Sequence, residues 1–159
     1  YVLQKGTELG VSAFVPMICE RSVPNARKWS DGRYERWRTI VREAAEQSGR
    51  GRVPQVGTAT ELREACKIHV GPGMIPWEME RNASIRLALG RIKDQGATSD
   101  HIGIFIGPEG GLTREEVDLA RAESITPITL GRRILRAETA SLAVISTVMY
   151  EWGEMGQTV

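Results

Sequence analysis

The sequence predicts an α/β domain with a mostly parallel sheet and helices on both of its faces. Five apolar runs rich in β-forming residues recur along the chain: SAFVPMI, RVPQV, GMIPW, HIGIFIG and ITPITLG. Segments with helical spacing lie between these runs, and strands that alternate with helices are typical of parallel sheets covered on both sides. The length of 159 residues fits a single domain with one sizeable core.

Three segments carry clear helical signals. A helix is predicted over residues 31–48, which place apolar or small residues on one face and end at Gly49. Another is predicted after GPEGG, because Thr113 and Glu116 have capping-box spacing and Leu112 and Val117 occupy the hydrophobic-staple positions. The last predicted helix has an apolar stripe that consists of Leu142, Ile145, Val148, Met149 and Trp152.

Prolines interrupt several of the predicted strands. Pro16, Pro54, Pro76 and Pro127 all fall inside apparent strands. Proline lacks the backbone donor of a sheet ladder. We therefore expect these strands to be short, bent or at a sheet edge at those positions.

Composition and charge limit the functional classes. The net charge of +1 gives no overall indication of nucleic-acid binding. Residues 21–52 nevertheless contain nine Lys or Arg against four Asp or Glu. Such a cluster is either a solvated helix face or a patch that faces phosphates.

The two cysteines do not indicate a disulfide framework or a metal site. Cys19 and Cys66 are far apart in sequence, and we expect them to be reduced thiols of a cytoplasmic protein. Cys66 and His69 have ligand-like spacing, but no second pair completes a zinc site, so no metal is predicted. The apolar stretch at residues 142–150 is too short and too mixed to cross a membrane.

The stretch IFIGPEGGLTREE reads as a strand, a glycine-rich turn and a capped helix. Glycines allow close backbone approach to a ligand, and helix N-terminal amides receive polar or anionic groups. The motif is neither a P-loop nor a dinucleotide fingerprint, because no Gly-Lys-Ser/Thr follows and the glycine spacing differs. Taken alone, it is also compatible with a tight βα turn that binds nothing.

A second loop, LGRRILRAETA, also follows a predicted strand, as does IPWEM. Ligands of open α/β sheets bind at the carboxyl ends of strands. The three loops would therefore surround one small molecule, with Arg132, Arg133 and Arg136 facing a polyanion. A solvated junction remains the alternative for one of these arginines.

Five segments resemble the signature segments of one family. They are KGTELGVSAFVP, ERSV, EAAEQSGRGRVPQV, IGPEGGLTREE and LGRRILRAETA, and they occur in the same order over essentially the whole chain. The family is that of the RsmE-type methyltransferases of the SPOUT class, which methylate N3 of a uridine in 16S ribosomal RNA. Gly6 stands where this family commonly has alanine, a difference that we expect only to loosen a helix.

The resemblance implies a single SPOUT methyltransferase domain over residues 1–159 with a C-terminal trefoil knot. Chain knots are otherwise almost absent from proteins, and periodicity does not suggest one. Family members also carry a PUA-like barrel, which we expect upstream of residue 1. The family architecture further implies a homodimer in which the last helix packs at the subunit interface.

The resemblance also assigns roles to individual residues. S-adenosylmethionine would be gripped by three loops that contain Trp77, Gly107, Gly110, Gly111, Leu130, Gly131, Ile134 and Leu135. Arg136 is the catalytic candidate, because negative charge develops on a uridine that loses its N3 proton. Glu138 is either a base or a carboxylate that complements the helix dipole.

The implied RNA partner is 16S rRNA or the small ribosomal subunit. The arginines expected to contact it are Arg36, Arg42, Arg50, Arg52, Arg132 and Arg133. Two other functions stay open from the residues alone. One is a non-catalytic RNA-binding protein with a SPOUT fold, and the other is a nucleotide binder that uses only the glycine turn.

Overall fold

The computed structural model describes residues 1–22, 29–96 and 102–156. Its helices are α1 (Val2–Glu8), α2 (Asp31–Gln47), α3 (Leu62–Ile68), α4 (Ile85–Asp94), α5 (Arg114–Ala122) and α6 (Ala137–Glu151). Its strands are β1 (Ala13–Phe14), β2 (Met17–Ile18), β3 (Gln55–Val56), β4 (Thr60–Glu61), β5 (Gly73–Pro76), β6 (Gly103–Ile104) and β7 (Ile125–Ile128).

Every strand pairing in these ranges is parallel, as predicted. β1 pairs with β3, β2 pairs with β4, and β5 lies between β6 and β7 in a three-stranded sheet. The pairings are short, so the strands form three small sheets rather than one continuous sheet. The α/β class with parallel strands is therefore confirmed.

The prolines account for part of this fragmentation. The run SAFVPMI divides at Pro16 into β1 and β2, which pair with different partners. Pro76 is the last residue of the central strand β5, and Pro127 lies in the edge strand β7. Both positions tolerate the missing backbone donor, as the sequence predicted.

Helices cover both faces of the three-stranded sheet. Successive side chains of a strand point to opposite faces, and Met74 and Ile75 of β5 are both fully buried. Ile75 packs in a cluster with residues of α3 and α5, namely Leu62, Ala65, Cys66, Val117 and Ala120. Met74 packs in a second cluster with residues of α4 and α6, namely Ala88, Leu89, Ile92, Val144 and Val148.

The apolar stripe predicted on α6 faces the core of the chain only in part. Ile145 and Val148 are buried within the chain, whereas Leu142, Met149 and Trp152 are only half-buried. The other buried residues of α6 are Ala140, Ser141 and Val144. Ala140 and Ser141 have small side chains, which a search for large apolar residues misses and which allow the helix to approach its neighbours closely.

Gly6 does more than loosen a helix. An ideal Cβ at this buried position would lie 2.9 Å from Cε1 of Phe14. The glycine therefore lets α1 pack closely on the phenyl ring that follows it. An alanine at this position would require the ring to move.

Arg50 caps the C-terminal end of α1 with side-chain hydrogen bonds. Its Nη1 donates to the carbonyl oxygens of Thr7 at 2.9 Å and Val11 at 2.7 Å, and its Nη2 donates to that of Gly10 at 3.2 Å. The last carbonyls of a helix lack intrahelical partners, and a guanidinium fork satisfies several at once. Burial lowers the pKa of Arg50. Because these donors are occupied within the chain, its predicted contact with RNA loses support.

Arg50→Ala should therefore destabilise the domain. Hydrogen bonds from a charged donor contribute about 1.5–3 kcal/mol, and we expect a loss of unfolding free energy in that range by urea denaturation. Arg50→Lys should recover only part, because an ammonium lacks the planar fork. Arg52→Ala is the matched control, since Arg52 is exposed on the loop before β3. Equal urea midpoints for Arg50→Ala and Arg52→Ala would contradict the capping role.

Candidate functional site

Three loops leave the same edge of the three-stranded sheet. They comprise residues 77–84 after β5, residues 105–113 after β6 and residues 129–136 after β7. Because β5 lies between β6 and β7 and all three strands are parallel, their carboxyl ends are adjacent. The structure thus groups the loops in which all of the sequence-predicted cofactor positions lie. In open α/β sheets this edge is where ligands bind.

Backbone hydrogen bonds tie the loop after β5 to the loop after β7. The amide of Trp77 donates to the carbonyl of Ile128 at 3.0 Å, and the amide of Thr129 donates to the carbonyl of Ala83 at 2.8 Å. Ser84 and Thr129 also form a parallel bridge. The two loops therefore start from fixed relative positions.

A carboxylate organises the loop after β5. Oε1 of Glu80 accepts hydrogen bonds from the amides of Arg81, Asn82 and Ala83 at 2.9, 2.8 and 3.1 Å. These bonds, led by the one from Asn82, lower the pKa of Glu80, with a smaller contribution from Arg121. The resulting stabilisation exists while the carboxylate is ionised and is lost as the pH falls through the lowered pKa.

The glycine-rich turn at residues 107–111, here called the glycine turn, depends on its glycines for packing and conformation. Gly111 has a φ of +73°, in the left-handed region, and its amide donates to the carbonyl of Pro108 at 2.9 Å. An ideal Cβ at Gly107 would lie 2.7 Å from Cγ of Leu112. Larger residues at these two positions would strain or displace the turn.

The helix after this turn is capped as predicted. The amide of Glu116 donates to Oγ1 of Thr113 at 3.2 Å, and the amide of Thr113 donates to Oε2 of Glu116 at 2.9 Å. The staple residues Leu112 and Val117 are both buried. The capping box is confirmed, and it fixes the direction in which the chain leaves the glycine turn.

The loop after β7, residues 129–136, is here called the arginine loop, and it is open to solvent. Arg132, Arg133 and Arg136 are exposed, and Ile134 is 84% exposed. Arg136 is the N-cap residue of α6, and its side chain makes no capping hydrogen bond. N-caps favour short acceptor side chains, and the positive end of the helix dipole disfavours a cation. An arginine here therefore does not serve helix stability, and its guanidinium is available to a ligand.

A buried donor without a partner lies beside these loops. Within the described parts of the chain, Nε1 of Trp77 is the buried side-chain polar atom that has no hydrogen-bond partner. The guanidinium carbon of Arg114 lies 6.0 Å from the centre of this indole ring. Leaving such a donor unpaired costs about 1–3 kcal/mol, which an acceptor on a bound ligand would offset.

Two residues at this site were missed by sequence reasoning. Nη1 of Arg21 donates to the carbonyl of Gly110 at 3.1 Å, and Oε1 of Glu78 would lie 2.9 Å from a Cβ at Gly111. The sequence placed Arg21 in a cluster of positive charge and in the signature-like segment ERSV, but assigned it no contact. Its contact was not predictable, because it joins residues that are 89 positions apart.

The arginines predicted to contact RNA lie in two regions. Arg132 and Arg133 belong to the arginine loop, whereas Arg36 and Arg42 are exposed on α2 and Arg52 is exposed on the loop before β3. Arg42 and Arg38 line an open groove of about 470 Å³ together with residues 53–56. The side chain of Arg38 forms an ion pair with Glu35, which lowers the net charge beside the groove.

The thiols do not supply nucleophiles. Burial raises the pKa of Cys19 to about 12 and that of Cys66 to about 11, so thiolates are scarce at neutral pH. Within residues 1–22, 29–96 and 102–156, no three His, Cys, Asp or Glu side chains are grouped to hold a metal ion. None of the helices in those ranges has the length and apolar character of a membrane span.

Comparison with curated proteins finds relatives that are named ribosomal RNA small subunit methyltransferases. The chain is 35% identical over 147 residues to the ribosomal RNA small subunit methyltransferase E of Synechocystis, covering 92% of this chain and 47% of that protein. It is 34% identical over 154 residues to the protein of the same name in Bacillus subtilis, covering 95% and 60%. The chain therefore spans about half to three fifths of the length of these relatives.

A solved structure shares the fold at similar identity. The ribosomal RNA small subunit methyltransferase E of Neisseria gonorrhoeae, crystallised with S-adenosyl methionine, matches with a TM-score of 0.81 and 38% identity. The match covers 98% of this chain and 61% of that one. The family model of the RNA methyltransferase domain matches residues 1–149. With its parallel sheet, glycine turn and arginine loop, this chain belongs to the RNA methyltransferase domain family.

Proposed function

We propose that this chain is the catalytic domain of an S-adenosylmethionine-dependent methyltransferase that modifies N3 of a uridine in 16S ribosomal RNA in the cytoplasm. The observation that carries the proposal is the convergence of a glycine turn and an arginine-rich loop at adjacent carboxyl strand ends. The family membership and the S-adenosyl methionine bound to the Neisseria relative support the same choice of cofactor.

The residues present at the three loops fit such a cofactor. When bound, S-adenosylmethionine supplies an activated methyl group on a sulfonium. Its ribose, adenine and carboxylate carry acceptors, and the unpaired Nε1 of Trp77 is a buried donor that would match one of them. The proposed contacts are Trp77, Gly107, Gly110, Gly111, Leu130, Gly131, Ile134 and Leu135. A C-terminal trefoil knot around these loops is part of the proposal.

Arg136 is proposed to act on the RNA base. Methylation replaces the N3–H bond of uridine by an N3–C bond. Loss of the proton leaves negative charge on N3 and the neighbouring carbonyl oxygens until N3 accepts the methyl group, whose bond to the sulfonium breaks to leave a neutral thioether. A guanidinium held at the start of α6 would stabilise that charge as it develops. Glu138 lies in the first turn of the same helix, where it either accepts the proton or complements the helix dipole.

The proposed RNA surface comprises five exposed arginines on two regions of the chain. They are Arg36, Arg42, Arg52, Arg132 and Arg133. Guanidinium groups suit phosphate oxygens, and each neutralised phosphate adds salt dependence to binding. The proposed partner is 16S rRNA within the small ribosomal subunit.

Product analysis tests the reaction directly. Small ribosomal subunits that lack the modification are incubated with the chain and radiolabelled S-adenosylmethionine, and the RNA is digested to nucleosides. We expect the label in N3-methyluridine. Label in a different nucleoside would contradict the assigned atom. Cofactor binding without any transfer, also when the expected upstream PUA-like barrel is included, would favour a non-catalytic RNA-binding protein.

Arg136→Ala supplies the matched variant in the same assay. We expect its melting temperature and cofactor affinity to stay unchanged while methylation falls at least roughly ten- to hundredfold, since one charged contact of the transition state is lost. Arg136→Lys should rescue poorly because an ammonium lacks the guanidinium fork. Arg63→Ala on the exposed side of α3 is the control. Full turnover of Arg136→Ala would refute the role.

We further propose that the chain is a homodimer. Large apolar side chains stay exposed at the arginine loop and at the end of α6, where Ile134 is 84% and Tyr150 is 71% exposed. A second copy would cover them. Ile145, by contrast, is already buried within one chain.

Light scattering should report a mass close to twice 17.6 kDa. Tyr150→Asp should yield a folded monomer if this face is the interface, because a buried carboxylate at the contact is costly. Ile145→Asp should instead unfold the domain, as circular dichroism would show. A monomeric wild-type chain that still binds cofactor would contradict the dimer.

A further inference from the structure

Residues 19–22, which follow β2 and are here called the platform, form a closed turn beside the glycine turn. The amide of Ser22 donates to the carbonyl of Cys19 at 3.0 Å, and the amide of Cys19 donates to Oγ of Ser22 at 2.9 Å. The side chain of Cys19 is buried in the core cluster that also contains Leu112. Residues 19–22 are therefore held by a closed turn and by the core at the same time.

Two hydrogen bonds join this platform to the glycine turn and its helix. The amide of Glu20 donates to Oε1 of Glu116 at 2.7 Å, while Oε2 of the same carboxylate completes the capping box. Nη1 of Arg21 donates to the carbonyl of Gly110 at 3.1 Å. The platform thus contacts the glycine turn at Gly110 and the first turn of α5 at Glu116.

The contact from Arg21 fixes one peptide unit of the turn. The carbonyl of Gly110 and the amide of Gly111 belong to the same peptide plane. Arg21 binds the carbonyl, and the carbonyl of Pro108 accepts from the amide at 2.9 Å. Both polar ends of this peptide are therefore engaged, so its orientation is set without a ligand.

Packing leaves little room on either side of the turn. A Cβ at Gly110 would lie 3.0 Å from Cβ of Arg21 and 3.3 Å from its carbonyl oxygen. A Cβ at Gly111 would lie 2.9 Å from Oε1 of Glu78, on the loop after β5, and 3.8 Å from Nη1 of Arg21. The turn is enclosed by Arg21 and by Glu78.

We propose that Arg21 is a positioning residue that holds the Gly110–Gly111 peptide in the orientation required for cofactor binding. The inference rests on the proposed function, because it assumes that the glycine turn grips the cofactor. A turn ordered in advance does not need to be ordered when the ligand binds, and this raises affinity. Arg21 acts through the turn and takes no part in the reaction at uridine.

Calorimetry with S-adenosylhomocysteine as the probe tests the proposal. Arg21→Ala should weaken binding roughly ten- to hundredfold if the turn then holds its binding orientation for only about a tenth to a hundredth of the time, and it should lower the melting temperature by only a few degrees because the lost contact is exposed. Arg21→Lys should restore part of the affinity, and Arg63→Ala should bind as the wild type does. In methylation, Arg21→Ala should raise KM for the cofactor while kcat at saturation stays within a fewfold.

A double-mutant cycle with Gly110→Ala separates positioning from a general loss of structure. If both residues set the same peptide, the double variant should lose less affinity than the sum of the two single losses. Additive losses, unchanged affinity in Arg21→Ala, or a fall in melting temperature that Arg21→Lys does not restore would each overturn the proposal. Absence of binding by the wild type would instead overturn the proposed function.

Discussion

The pairing of β5 with β6 on one side and β7 on the other is the constraint on which the rest of the structure depends. It buries Met74 and Ile75 completely, and each belongs to a different core cluster. Because all three strands are parallel, the same pairing places three loops from distant parts of the sequence at one edge. The geometry of the candidate site is thus a direct consequence of the hydrogen bonding and side-chain alternation that form the core.

Three departures from local structural preferences lie at this edge. Arg136 occupies an N-cap position without capping, Nε1 of Trp77 is buried without a partner, and Gly111 adopts a left-handed conformation. Each feature costs stability or requires a special residue, although the indole of Trp77 itself packs against the core cluster that contains Ile75. Local exceptions of this kind are expected at functional sites, where a ligand supplies the missing interactions.

Local patterns predicted much of the fold, whereas long-range contacts were beyond the sequence. Capping-box spacing located the start of α5, Pro16 marked where a predicted strand divides, and Pro76 marked where one ends. The arginines show the limit, because the basic cluster contains both Arg21 and Arg50 and the only contact predicted for either was one between Arg50 and RNA. The guanidinium of Arg50 binds carbonyls at the end of α1, and that of Arg21 binds the glycine turn. Only the folded chain brings these partners together.

Amide chemical shifts measured during a titration with S-adenosylhomocysteine test the central claim most directly. If the three loops form one cofactor site, the largest changes should fall within residues 77–84, 105–113 and 129–136 and should saturate together with one affinity. Changes centred instead on the groove formed by Arg38, Arg42 and residues 53–56, or confined to one loop, would contradict a shared site at the carboxyl ends of the strands.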